Sequence, residues 1–538
     1  MTFDILIKNG RIVDGTGNPW FRADVAIKDG RITKIGRQNS PPADRVLDAK
    51  ALVVSPGFID MHTHSDYPLL LNPKAESSVR QGVTTEVLGN CGYSCAPVSE
   101  ATKELLEGNL LAYIPEVAID WHTIGEYLDR LEERGIAHNA ATLVGHGTLR
   151  IAVMGLNSRL PNKEELEEMK ALVAESMEGG AFGMSTGLVY APGNSSNTEE
   201  LVELCRVVAG YGGIYATHVR SERVEAVEEA IGIGEKAEVP VHLSHHPTGT
   251  FILRGKTEKT LKLVDEARAR GAEVTCDLHP YLWGLTALTA ALPGWAFEGG
   301  PEKMLERLRD PGIREELKKG MAAGTSTVHQ LIRRGLWDRI LLGSSEGSPS
   351  LVGKSFEEIA SLRGTDPYDA VLDVLLAEGL GLQNAFILAE TYSEKDVRNV
   401  MVHPTSMIGA DGFALAPYGP LARFGFHPRS YGTFPRVIQE YVNEKGALTL
   451  EDGVRRMTSA PAQRLGLWDR GLVREGMWAD IVVFDAERIE DRATYTEPSR
   501  YPAGIEHVLV NGEIVIMKGE HTGALPGRAL RHTFSSQT

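Results

Sequence analysis

The chain has 538 residues, 42% hydrophobic, 24% charged and 7% aromatic. That composition suits a globular enzyme and excludes disordered, fibrous and collagen-like chains. Its 56 Lys and Arg against 72 Asp and Glu give a net charge of −16, and with no basic run it carries no electrostatic footprint for nucleic acid. Four cysteines, Cys91, Cys95, Cys205 and Cys276, are too few for a disulfide framework in a chain of this length and fit a reducing cytoplasm. The first residues, MTFDILIKNG, put Asp4 where a signal peptide needs basic residues. The best candidate for a membrane span, 371–389, contains Asp373 and Glu378. These features predict a soluble, cytoplasmic protein that acts on a small molecule, without nucleic-acid or membrane partners.

Residues 4–13 predict a strand that ends in the turn Asp14-Gly15-Thr16-Gly17. Residues 23–28 and 31–36 predict a hairpin about Asp29-Gly30, a dipeptide that readily supplies two positive φ angles. Further on, Leu166, Met169, Leu172, Val173 and Met177 recur near helical spacing, and Gly179-Gly180 stops the helix expected over 164–178. The charged stretch 162–168 reads as a solvated helix face. Strands at 181–190, 212–219, 240–245 and 272–277 alternate with helices at 198–209, 221–237 and 257–270. Such repeats over roughly 400 residues predict an α/β protein with a (β/α)8 TIM-like barrel. An open doubly wound sheet is the alternative, weakened because no glycine-rich phosphate loop follows the first alternating strand. Residues 282–339 alternate poorly and predict an insertion over the barrel mouth. The C-terminal strands expected at 479–485, 507–510 and 513–516, the last two flanking Asn511-Gly512, repeat the texture of the N-terminus. Short hairpins cannot bury a core alone, so the two ends predict one small β-sandwich domain built from both termini. The expected division is 1–54 and 466–538 for that domain and 55–465 for the barrel.

The sharpest motif is Pro56-Gly57-Phe58-Ile59-Asp60-Met61-His62-Thr63-His64-Ser65-Asp66. Strand side chains alternate, so His62 and His64 share a face and can grip one divalent ion at the C-terminal end of a first barrel strand. Cys91, in Gly89-Asn90-Cys91-Gly92, lies just past the strand expected at 83–88, and its thiolate would suit zinc. His218, in Ala216-Thr217-His218-Val219-Arg220, and the cluster His242, His245 and His246 also fall at strand ends; alternation alone does not choose among the three. Asp411, in Met407-Ile408-Gly409-Ala410-Asp411-Gly412, is a carboxylate at the end of a late strand.

In that order, these motifs, with HPRSYGTFPRV and GLWDRGLVREGMWADIVVFD downstream, resemble the amidohydrolase superfamily. Within it they resemble the N-acyl-D-amino-acid deacylases (D-aminoacylases), nearly from end to end. The resemblance implies zinc, with one tight site and a second, weaker one. It places Cys91 as the bridging thiolate where many relatives use a carbamylated lysine, assigns His218 and His245 with Cys91 to the tight site, and so selects His245 over His242 and His246. His62, His64 and Asp411, with Cys91, then form the second site. Two positions depart from the family pattern: Pro247 stands where a lysine helps hold the substrate carboxylate, and His279 where a tyrosine is expected. Arg429 and Arg220 are the cations that could replace that clamp.

The implied reaction is metal-assisted hydrolysis of an N-acyl-D-amino acid: the ion brings the pKa of its water from 15.7 towards roughly 7 and polarises the amide carbonyl. Asp411 is the expected catalytic residue, taking the water proton and returning it to the leaving amine. Tyr190, Tyr281 and Arg429 are expected to bind substrate, and His146 to support the centre or pack in the core. Alternative activities are a cyclic-amide hydrolase of the hydantoinase or dihydroorotase kind, against which Cys91 argues, and a dipeptidase for D-residues. A scaffold without activity should have lost ligands, and here six candidate positions are filled.

Overall fold

The computed structural model describes residues 2–37, 42–100, 102–107, 116–221, 223–246 and 256–534. The chain opens with β1 (Phe3–Ile12), β2 (Phe21–Lys28), β3 (Arg31–Gly36), β4 (Ala43–Asp48) and β5 (Val53–Pro56). Asp29 and Gly30, at φ of 51° and 75°, turn the β2–β3 hairpin as their sequence predicts. The alternating region then supplies β6 (Phe58–Asp60), β7 (Val83–Leu88), β8 (Asn139–Thr142), β9 (Val144–Gly145) and β10 (Gly183–Gly187). It continues through β11 (Ile214–His218), β12 (Val241–Leu243) and β13 (Val274–Leu278). Next come β14 (Trp283–Ala287), β15 (Ile340–Ser344) and β16 (Phe386–Glu390), then β17 (Ser406–Ile408). The chain closes with β18 (Ile481–Phe484), β19 (Ile505–Val510), β20 (Glu513–Met517) and β21 (Glu520–His521).

The strands of the alternating region pair in parallel, β6-β7-β8 in one sheet and β9-β10-β11-β12-β13-β17 in another. The two sheets are tied at both sides. Phe182, just before β10, donates its N–H to Thr142 O of β8 at 2.8 Å, and Met61 N donates to Ile408 O of β17 at 3.3 Å. Thr63 and Gly412 add a parallel bridge beside that second seam.

Helices fill the connections. Lys163–Glu178 starts in a capping box between Asn162 and Glu165 and buries Met169, Val173 and Met177. These residues join a large core with Leu201 and Val208, Val227 and Ile231, and the strand residues Met184, Tyr215, Val241 and Val274. The alternate strand residues Ile59, Val87, Ala141, Ala216 and Met407 form a separate buried cluster. The strands are therefore apolar on both faces, as parallel strands covered on both sides must be.

The two chain ends do meet: β18 pairs antiparallel with β5. The nine strands are linked by hydrogen bonds through β1, which takes β2 antiparallel and both β4 and β5 parallel. Phe58 joins this sheet to the parallel strands. It is fully buried, stacks on Phe434 at 5.6 Å and meets Phe484 of β18 edge-on at 6.3 Å.

The residues expected as an insertion, 282–339, overlap a separately packed region. Its own hydrophobic core runs from Leu288 to Ala389, and β14, β16 and β15 form its antiparallel sheet. Residues 340–390 contain regular elements that imitate the repeating units, but β15 and β16 pair antiparallel, with β16 lying between β14 and β15. The apolar run 371–389 divides between the helix Pro367–Glu378 and β16, and no helix among the described residues is long and apolar enough to cross a membrane.

Phe58→Ala should remove the contact between the two parts of the molecule and cost about 3–5 kcal/mol, read as a lower urea midpoint with unchanged far-ultraviolet circular dichroism.

Candidate metal centre

Six side chains arrive from the C-terminal ends of five parallel strands. His62 and His64 follow β6, Cys91 follows β7, His218 ends β11, His245 follows β12 and Asp411 follows β17. Asp60 fixes the exit of β6: its Oδ1 accepts from His62 N at 3.1 Å and from Ala410 N at 2.9 Å, which brings the strand ends carrying His62 and Asp411 side by side. Asp411 N then donates to His62 O at 2.7 Å.

Cys91 stands at the middle. Its Sγ lies 3.3 Å from His62 Nε2, 3.5 Å from His245 Nε2 and 3.6 Å from His218 Nδ1. Asp411 Oδ1 lies 3.1 Å from His64 Nε2 and 3.5 Å from His62 Nε2. Donor atoms of His62, Cys91, His245 and Asp411 all fall within 4.8 Å of one another. This foursome takes members from both of the groups into which the resemblance divides the ligands.

The backbone is strained where these donors sit. Cys91, His245 and Asp411 have φ of 53°, 33° and 52°, a region costly for residues with a Cβ. Gly89 makes the turn before Cys91 feasible, since a Cβ there would lie 2.0 Å from Leu143 O.

Burial alone would raise the Cys91 thiol, but the imidazoles of His62, His218 and His245 hold it well below the ordinary thiol range. Burial likewise pushes His62 down, and the Cys91 thiolate and Asp277 carboxylate hold it well above the ordinary imidazole value. His64 and His245 are raised too, against burial, by Asp411 and Cys91. For Asp411, burial raises the carboxyl, while Arg429 first and then His64 keep it well below the usual range. One thiolate, four imidazoles and a carboxylate form a donor set that suits zinc.

Of the three clustered histidines, only His245 turns to Cys91. His242 is held between Thr275 Oγ1 at 2.9 Å and Asp277 Oδ2 at 2.8 Å. His246 meets Thr260 Oγ1 at 3.1 Å, and burial pushes it down to about 4. Asp277 escaped the sequence reading, although an acid at the end of β13 was the signal that could have found it.

A cleft of about 850 Å³ opens beside the centre, lined by Tyr190, His218, His245, Asp411 and Arg429 and walled by insertion residues such as Thr286. Tyr190 OH lies 3.1 Å from Thr286 Oγ1. Arg429 Nη1 donates to Asp411 Oδ2 at 2.7 Å, and its buried Nε has no hydrogen-bond partner. Three expected residues are engaged elsewhere. Tyr281 is not among the cleft lining, and its hydroxyl donates to Asp491 Oδ2 at 2.8 Å. Arg220 is ion-paired with Glu229 at 3.0 Å. His146 meets Glu200, which also takes the buried Arg150. His279 is buried beside Tyr281, Tyr392 and His427 with both ring nitrogens unpaired, and burial and then Arg429 push it down to about 3. Pro247 lies outside the described residues.

Arg429→Met should leave the Asp411 carboxylate buried without its strongest partner and cost about 3–5 kcal/mol at about pH 8. Without the guanidinium the folded-state pKa of Asp411 rises, so its carboxyl takes up a proton at a higher pH than in the unaltered protein. The deficit against the unaltered protein should therefore narrow towards about pH 5, as urea unfolding at the two pH values would measure.

A model of the amidohydrolase family matches residues 45–516. The D-aminoacylase of Alcaligenes xylosoxydans xylosoxydans is 36% identical over 539 residues, covering 99% of this chain and 98% of that protein. The crystal structure of N-acyl-D-glutamate deacylase from Bordetella bronchiseptica, complexed with zinc and a phosphonate mimic of the tetrahedral intermediate, superposes with a TM-score of 0.82 at 33% identity, covering 99% of this chain and 100% of that one. A D-aminoacylase structure described for its binuclear metal centre gives a TM-score of 0.81 at 35% identity, covering 98% and 100%. With its mixed α/β fold and its buried histidine, cysteine and aspartate donors, the chain belongs to the amidohydrolase family, among the D-aminoacylases and their relatives.

Proposed function

We propose that this protein is a zinc-dependent hydrolase that removes the acyl group from N-acyl-D-amino acids. The observation that carries the reading is the Cys91 thiol, 3% exposed, with three imidazole nitrogens within 3.6 Å and a carboxylate alongside. The deacylases it resembles over nearly the whole chain supply the substrate class.

The linked parallel strands are a (β/α)8 barrel, its eight strands being β6, β7, β8 with β9 as one strand interrupted at Leu143, β10, β11, β12, β13 and β17. The hydrogen bonds at both seams and the helices between successive strands support this. The terminal sheet folds over its own cluster of Ile5, Ile7, Val25, Ile481 and Leu509 as a small β domain. Four free, buried cysteines suit a cytoplasmic location.

Cys91, His218 and His245 would hold the tight zinc, and His62, His64 and Asp411 with Cys91 a second, weaker one. Bound zinc supplies Lewis-acid polarisation of the amide carbonyl and eases deprotonation of water at neutral pH. Asp411, kept ionised by Arg429, accepts the proton of the attacking water as its oxygen bonds to the carbonyl carbon. The C–N bond then breaks, and Asp411 returns the proton to the amine nitrogen, leaving a carboxylate and the free D-amino acid. Tyr190, with its hydroxyl in the cleft, is placed to donate to the developing oxyanion. Arg429 Nε offers a donor to the substrate carboxylate.

Purified protein should release amino acid from N-acetyl-D-amino acids and not from N-acetyl-L-amino acids, hydantoins or dipeptides; turnover confined to hydantoins would replace this reading. Cys91→Ala should lose the tightly held zinc on dialysis, measured by metal analysis. Asp411→Asn should keep zinc on Cys91, His218 and His245 while kcat falls on the order of 10²-fold or more.

A further inference from the structure

Asp277 ends β13 with its side chain fully buried and has no part in the chemistry above. It nevertheless reaches two of the candidate ligands from behind. Its Oδ1 accepts from His245 N at 2.7 Å, at the residue whose φ is 33°. Its Oδ2 takes His242 Nε2 at 2.8 Å and faces His62 Nδ1 at 3.6 Å. His62 Nδ1 is buried and has no hydrogen-bond partner within 3.5 Å among the described residues, the Asp277 carboxylate standing just beyond that distance, while the opposite nitrogen, Nε2, is the one turned to Cys91 and Asp411. The room for this arrangement comes from Gly409: a Cβ there would lie 2.7 Å from His62 Cβ and 2.9 Å from Asp277 Oδ1.

We propose that Asp277 is a positioning residue of the metal centre, whose carboxylate keeps the His62 proton on Nδ1 so that the Nε2 lone pair faces the metal, while it pins the strained backbone of His245. A carboxylate accepts and does not donate, so only the Nδ1–H tautomer of His62 is compatible with it. Such outer carboxylates orient ligating histidines in metal sites generally. His242 holds the carboxylate in place by giving its Nε2–H to Oδ2, which leaves its Nδ1 to accept from the Thr275 hydroxyl. Asp277→Asn is a selective change. The amide oxygen can still accept from His245 N, and His242 can exchange tautomers, because a hydroxyl serves as donor or acceptor. His62 Nδ1 alone would then face an N–H, which favours the tautomer whose Nε2 cannot bind a metal.

The inference rests on the metal-centre reading, so zinc titration of the unaltered chain comes first; no binding there overturns that reading and this inference with it. Given binding, Asp277→Asn should weaken zinc about 10–100-fold while circular dichroism stays unchanged. His62→Asn should show little further loss when combined with it, because the two changes remove one interaction. Zinc affinity of folded Asp277→Asn within about threefold of the unaltered value overturns the proposal, as does full additivity with His62→Asn. A second measurement needs no Asp277 variant. In nitrogen-15 spectra of the zinc-loaded unaltered protein, the His62 ring, assigned by its absence from His62→Asn, should carry its proton on Nδ1 and its metal on Nε2. The reverse pattern overturns the proposal, even if Asp277→Asn does not fold.

Discussion

A thiolate buried among protein atoms is costly unless opposite or polarisable charge meets it on several sides. At Cys91 three imidazoles do so, and they come from His62, His218 and His245, which are separated by up to 183 residues in sequence. The linked parallel strands serve that convergence, since each donor is carried at or just past a strand end. The left-handed backbone at Cys91, His245 and Asp411 is part of the same arrangement. At about 1–3 kcal/mol each, such conformations persist because glycines, Asp60 and Asp277 hold the surrounding chain.

Charge balance extends outward in layers. Asp411 answers His64 on one oxygen and Arg429 on the other. Asp277 answers His62 and His242. Asp411 and Asp277 therefore face cations or N–H donors, and both stay ionised although they are buried.

Much of this was legible in the sequence. His62 and His64 share a face because strand side chains alternate, and the residue spacing alone shows it. The Asp29-Gly30 and Asn511-Gly512 turns were legible for the same local reason, their positive φ values. Choosing His245 over His242 was not a local matter. It depends on Asp277, 35 residues beyond His242, which claims the His242 ring. The contact of Tyr281 was not legible because its partner, Asp491, comes from the distant C-terminal part of the chain. The extent of the separately packed region was hidden because residues 340–390 carry the same apolar periodicity as the repeating units, and only the antiparallel pairing of β16 with β14 and β15 sets them apart.

The region from Leu288 to Ala389 has a hydrophobic core of its own, yet with Thr286 just before it, it lines part of the cleft through residues such as Val328. The donors stand at or just past the ends of the parallel strands, outside that core. Evolution can therefore remodel that wall with little disturbance to the donor atoms. Enzymes with one chemistry and diverging appetites are the expected descendants of such a plan.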